Sequence, residues 1–123
     1  MSINARILIV EDDYAMRESL AALLKQMGHV PIVVDRADDG MRVLRSAEKL
    51  DTIITDVVMP GMNGIEFAAH VRNERPGLPI VLVTGDADAL DAVLASGAVA
   101  LLKPYSPETL RRVLKEAMES RQI

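Results

Sequence analysis

Four apolar runs in this 123-residue chain end on residues that could do chemistry. The run Ile53-Ile54-Thr55 delivers a carboxylate, Asp56, and the turn-forming pairs Pro60-Gly61 and Asn63-Gly64 follow close behind. Arg6–Val10 runs into Glu11, Asp12 and Asp13. Pro79–Thr84 ends on a hydroxyl, with Gly85 and Asp86 next, and Ala98–Leu102 leads into Lys103 and Pro104. Gathered in one place, Glu11, Asp12, Asp56, Thr84 and Lys103 would put three carboxylates, one hydroxyl and one ammonium into a single site. Carboxylates crowded in this way raise one another's pKa and cost stability, which a bound cation would offset. Ligands that are all oxygen suit Mg2+, which is typically held by one or two carboxylates together with phosphate oxygens. Lys103 and Thr84 offer the donors that a phosphoryl group needs. Asp56 is the natural nucleophile, since carboxylates form acyl-phosphates. Singly, each residue has a plain structural reading: a strand-end Asp is ordinarily a turn or cap residue, an acidic triplet a solvated helix start, and Lys-Pro a turn. Their shared position at strand ends is what argues for a site.

The elements that must hold these residues follow from periodicity. Arg6–Val10, Val30–Val34, Thr52–Thr55, Pro79–Thr84 and Ala98–Leu102 are short apolar runs of strand length. Pro31 suits an edge strand, because proline cannot donate to a ladder on both sides. Between the runs lie helical patterns. Met16, Leu20, Leu23, Leu24 and Met27 recur at helical spacing before Gly28; Ala37–Ala47 and Asp86–Ser96 are further helices. Asn63 with Glu66 forms a capping arrangement for a helix through about Asn73. Ser106-Pro107 opens a last helix whose apolar face is Leu110, Val113, Leu114, Ala117 and Met118. Five strands alternating with five helices predict a doubly wound α/β domain with a parallel sheet, and ligands of such sheets bind outside the carboxyl ends of the strands.

Composition narrows the classes. Half of the residues are apolar and only three are aromatic, so the core is aliphatic. There is no Cys, which excludes disulfides, thiol catalysis and thiolate metal sites. Net charge is −4 and no basic stripe appears, so no nucleic-acid footprint is expected. No apolar run is long enough to span a bilayer, and acids follow the first strand too soon for a signal peptide, so a cytoplasmic location is the expectation. His29 and His70 are too isolated to form a metal pair.

The motifs ILIVEDD, ITDVVMPGMNGIEF, IVLVTG and LLKPYSPETL, in this order and spacing, resemble the receiver domain of bacterial two-component response regulators from Arg6 to about Met118. The resemblance implies a flavodoxin-like receiver, a five-stranded parallel sheet in the order 2-1-3-4-5, spanning residues 1–123 as one domain. It implies Asp56 as phosphoacceptor, Glu11 and Asp12 as the acidic pair that holds Mg2+ with Asp56, and the Val58 main-chain carbonyl as a further ligand. Asp12 would be the direct ligand of the pair, and Asp13 would start the first helix. Thr84 would donate its hydroxyl to the phosphoryl group and Lys103 would pair with it, ahead of a cis bond to Pro104. The implied donor is a histidine kinase or a histidine phosphotransfer protein. Homodimerisation through the last two helices is a habit of the family.

Two features depart from that family. Ala100 stands where it usually has an aromatic residue that changes rotamer with the threonine. The interval from Thr84 to Lys103 is shorter than usual by about three residues, so the fourth helix is expected to be short or irregular. Tyr105 is read as a packing or surface residue on the other side of the lysine. Met59 and Met62 flank the Asp56 loop as packing residues or as a flexible apolar contact for a kinase helix. Arg111, Arg112 and Lys115 are a solvated helix face or a docking face. The reading is a stand-alone regulator that signals through protein contacts and is not a turnover enzyme. Its rivals are a pseudo-receiver that signals without phosphorylation and a Mg2+-dependent phosphatase. The phosphatase would need a second acid where Val58 stands.

Overall fold

The computed structural model describes residues 4–119. Its strands are β1 (Arg6–Val10), β2 (Val30–Val34), β3 (Thr52–Asp56), β4 (Ile80–Thr84) and β5 (Val99–Leu102). They form one parallel sheet in the order β2-β1-β3-β4-β5, as the resemblance implies. The helices are α1 (Tyr14–Gln26), α2 (Ala37–Leu44), α3 (Gly64–Glu74), α4 (Leu90–Ala95) and α5 (Pro107–Glu119). Pro31 lies on the edge strand β2, where its missing N–H leaves no inner ladder unsatisfied.

Because side chains alternate along a strand, the sheet sorts its apolar residues into two cores. Leu8 and Val10 of β1 join Ile53, Leu82, Phe67 and Val71 on the side covered by α2, α3 and α4. Ile7 and Ile9 join Ile54, Val81, Leu24 and Leu114 on the side covered by α1 and α5. With both faces covered, β1, β3 and β4 are almost wholly buried, and the hydroxyls of Thr52 and Thr55 in β3 are satisfied by main-chain carbonyls.

The predicted caps hold. Asp13 accepts the Met16 N–H at 3.0 Å and starts α1. Asn63 and Glu66 exchange both bonds of a capping box on α3. Ser106 Oγ accepts the Thr109 N–H at 3.1 Å ahead of Pro107. Some element ends differ from expectation by one to three residues. α2 stops at Leu44 rather than Ala47, because the Arg75 guanidinium donates to the carbonyls of Leu44 (3.0 Å) and Ser46 (3.1 Å) and holds the chain as it leaves the helix. β3 includes Asp56, whose Cα pairs with that of Val83. The fourth helix is short and irregular, as expected: a 3₁₀ turn, Ala87–Ala89, leads into the six residues of α4. Asp86 caps this turn by accepting the Asp88 N–H at 2.9 Å.

Candidate functional site

The sheet order places the ends of β1, β3, β4 and β5 side by side. Val10 pairs with Thr55, Asp56 with Val83, and Thr84 with Leu102, so the residues that follow these strands emerge together. Main-chain bonds lock the exits: Glu11 N–H to Val34 O (3.2 Å), Val57 N–H to Val83 O (2.9 Å) and Lys103 N–H to Thr84 O (2.9 Å). Glu11, Asp56, Thr84 and Lys103 are thereby brought to one end of the sheet, with Asp12 on the loop beside them.

At the centre, the Lys103 ammonium donates to Asp56 Oδ2 at 2.7 Å. The Asp56 side chain is 11% exposed and that of Lys103 26%, so the pair is largely withdrawn from water. Burial alone would pull the ammonium down. The hydrogen bond and charge of Asp56, followed by the charge of Glu11, outweigh burial and hold Lys103 above the usual lysine range. The other Asp56 oxygen, Oδ1, faces the Val58 N–H at 3.3 Å.

Glu11 is only 7% exposed, yet it carries a carboxyl group. Its Oε2 accepts the Asp13 N–H at 3.1 Å. Burial pushes this carboxyl above the ordinary glutamate range; the Asp13 N–H pulls it back. The Asp56 charge and a hydrogen bond with the Asp12 side chain push it up, and Lys103 opposes them. Among the described residues, no three His, Cys, Asp or Glu side chains are gathered closely enough to hold a metal by themselves. One Asp56 oxygen is engaged by Lys103. The oxygen donors present are hard ligands of the kind Mg2+ takes, and a cation would relieve the charge that burial penalises at Glu11.

Thr84 is 2% exposed, and its hydroxyl accepts the Asp86 N–H at 3.0 Å. That bond ties the end of β4 to the 3₁₀ turn before α4. Gly85 leaves the neighbouring space open: a Cβ there would meet only Lys103 Cβ, at 3.9 Å. The Lys103–Pro104 bond is cis.

Three residues not assigned to the site from the sequence belong to its frame. Gly64 opens α3 so close to the Asp56 backbone that a Cβ would lie 2.2 Å from the Asp56 carbonyl oxygen. Tyr105 packs against the α1–α5 core and also lines a small pocket with Met16, Ile54, Asp56 and Lys103, so it lies nearer the site than expected. Arg17 reaches back from α1 to donate to the Glu11 carbonyl at 2.9 Å. Asn63-Gly64 was a visible turn signal, but its contact with Asp56 is tertiary. The Arg17 contact had one local signal, a long cationic side chain in the first turn after a strand-end acid. Met59 is buried and accepts a long contact from the Thr55 hydroxyl (3.5 Å to Sδ), while Met62 is partly buried against the same core, which favours packing for both.

A family model described as the response regulator receiver domain matches residues 7–115. Response regulator protein FleR of Pseudomonas aeruginosa is 38% identical over 109 residues, which is 86% of this chain and 23% of FleR. The chain thus spans about a quarter of that relative's length. The chemotaxis response regulator CheY4 of Vibrio cholerae superposes with a TM-score of 0.84 at 28% identity, covering 94% of this chain and 99% of CheY4. The receiver domain of the sensor histidine kinase PA1611 of P. aeruginosa, solved with a magnesium ion in its active-site cleft, gives a TM-score of 0.85 over 96% of this chain and 100% of that one; at 23% identity this shows a shared fold. With the predicted sheet order and the strand-end acids, hydroxyl and lysine all in register, the chain belongs to the response regulator receiver domain family.

Proposed function

We propose that this receiver takes a phosphoryl group onto Asp56 from a phosphohistidine on a histidine kinase or a histidine phosphotransfer protein. The observation that carries this reading is the withdrawn Asp56–Lys103 pair at 2.7 Å, set at the sheet end beside Glu11 and Thr84. An Asp56 oxygen attacks the phosphorus in line with the leaving imidazole nitrogen. A P–O bond forms, the P–N bond breaks, and its electron pair returns to the imidazole, leaving an acyl-phosphate. Lys103 is already charged and aimed at the nucleophile, so it moves with little reorganisation to a phosphoryl oxygen. The Thr84 hydroxyl turns its proton from the Asp86 carbonyl, 3.5 Å away, to a phosphoryl oxygen. Water later attacks phosphorus and releases inorganic phosphate, regenerating the carboxylate; the chain catalyses its own cycle and turns over no separate substrate.

Glu11, Asp12, the Asp56 oxygen that Lys103 does not engage and the Val58 main-chain carbonyl would hold Mg2+. When bound, the ion supplies neutralising charge for the transferring group. Output passes through protein contacts. The bond between Thr84 and Asp86 offers a route to the 3₁₀ turn and α4 that does not need an aromatic residue at Ala100.

Intact mass after incubation with acetyl phosphate, with and without Mg2+, tests the reading. A Mg2+-dependent gain of one phosphoryl group, absent in Asp56→Asn, is expected. If acetyl phosphate and a phosphorylated kinase both fail to label a protein that binds the ion, the phosphoacceptor reading falls and the pseudo-receiver takes its place.

A further inference from the structure

The segment from Glu11 to Asp13 is held at three points. The Glu11 N–H is bound by β2 through Val34 O, its side chain by the Asp13 N–H, and its carbonyl by the Arg17 guanidinium at 2.9 Å. Only the last contact fixes the plane of the peptide that leads into Asp12. Arg17 is itself doubly held. Its own N–H bonds the carbonyl of the cap residue Asp13 at 2.9 Å, and its guanidinium carbon sits 5.3 Å from the centre of the Tyr14 ring. Tyr14 is 69% exposed, so this stacking gives the ring a contact that core packing does not supply.

We propose that Arg17 is a positioning residue for the divalent cation, orienting the Glu11–Asp12 peptide so that the two carboxylates face one ion. The inference rests on the phosphoacceptor reading above. Its sign is opposite to that of simple charge. A guanidinium close to a cation site repels the ion, so on Coulomb's law alone its removal should tighten binding. A positioning role requires its removal to weaken binding, as the loss of outer contacts to metal ligands does by roughly 10- to 100-fold.

Free Mn2+, counted by electron paramagnetic resonance, measures binding without reference to activity. The expected result is a dissociation constant raised about tenfold in Arg17→Ala, with a smaller rise in Arg17→Lys, which keeps a donor for the carbonyl. Arg112→Ala, which removes an equal charge from the exposed face of α5, serves as the control and is expected to match wild type. In phosphorylation by acetyl phosphate, the loss in Arg17→Ala falls mainly on the half-saturating Mg2+ concentration, with far less effect on the rate at saturation. Unchanged or tighter Mn2+ binding in Arg17→Ala overturns the proposal. So does a loss of rate that saturating Mg2+ does not recover, since that would place Arg17 on the phosphoryl group. If Arg17→Ala does not fold, wild-type affinity in a folded Arg17→Lys variant also overturns it. Absence of Mn2+ binding in the wild type would overturn the cation site itself, a result distinct from any of these.

Discussion

Lys103 Nζ stands 2.7 Å from Asp56 Oδ2, although 47 residues separate the two in sequence. The ammonium also lies 3.7 Å from Met16 Sδ, so α1 closes over the pair from the other side. In this structure, Lys103 is the partner that keeps the withdrawn Asp56 charge compensated. In the proposed reaction the same ammonium is a preplaced donor.

Replacing Lys103 with Ala should therefore separate two roles. Loss of a preorganised donor lowers phosphorylation by acetyl phosphate by about 100-fold at saturating Mg2+. Mg2+ binding should be kept or tightened, because a competing cation has left Asp56. Time courses by intact mass across a Mg2+ titration measure both. A variant that phosphorylates at the wild-type rate would remove Lys103 from the mechanism.

Glu11 gives a pH-dependent prediction for the metal-free protein. Its folded carboxyl titrates above the unfolded one, chiefly because it is buried. Below the unfolded pKa, both states are protonated and the group costs nothing. As pH rises through the folded pKa, the folded state must carry a buried charge and loses stability relative to the unfolded chain. Glu11→Gln should thus melt a few degrees above wild type at neutral pH, and the difference should vanish in acid. Thermal melts in chelator across the acid-to-neutral range check this. In the proposed cation site, the same variant should also bind Mn2+ weakly.

Gly64→Ala places a methyl group 2.2 Å from the Asp56 carbonyl oxygen and 2.9 Å from Val57 Cα. Both are backbone atoms that cannot swing aside. Overpacking of this kind costs about 1–3 kcal/mol, and the relief it forces should shift Asp56 and slow phosphorylation. Urea denaturation and phosphorylation rates on the same variant test the coupling. A destabilised protein with an unchanged rate would show that α3 can yield without moving Asp56.

Arg75 provides the contrast. Its guanidinium bonds the carbonyls of Val43, Leu44 and Ser46 at the end of α2, away from Glu11, Asp56, Thr84 and Lys103. Arg75→Ala should cost about 1–3 kcal/mol, as hydrogen bonds to a charged group do. Mg2+-dependent phosphorylation should persist below the shifted melting point. Loss of phosphorylation in a folded Arg75→Ala protein would show that α2 helps to set the site.

Much of this protein could be read from local pattern. Apolar runs of strand length, helical spacing, and caps at Asp13, Asn63 and Ser106 are properties of neighbouring residues, and they located all five strands and all five helices to within a few positions. The strand-end residues Glu11, Asp56, Thr84 and Lys103 could be named for the same reason, since a parallel α/β sheet sends every strand's carboxyl end the same way. The missing residues between Thr84 and Lys103 announced a shortened fourth helix, though not that its first turn would be 3₁₀. Distances between segments were beyond any local pattern. The pairing of Lys103 with Asp56, the pressure of Gly64 on the Asp56 carbonyl, the return of Arg17 to Glu11 and the approach of Tyr105 to the site depend on strand order, register and helix seating. Those are decided by which faces bury together, because hydrophobic burial rewards an arrangement of the whole sheet and no single segment carries it.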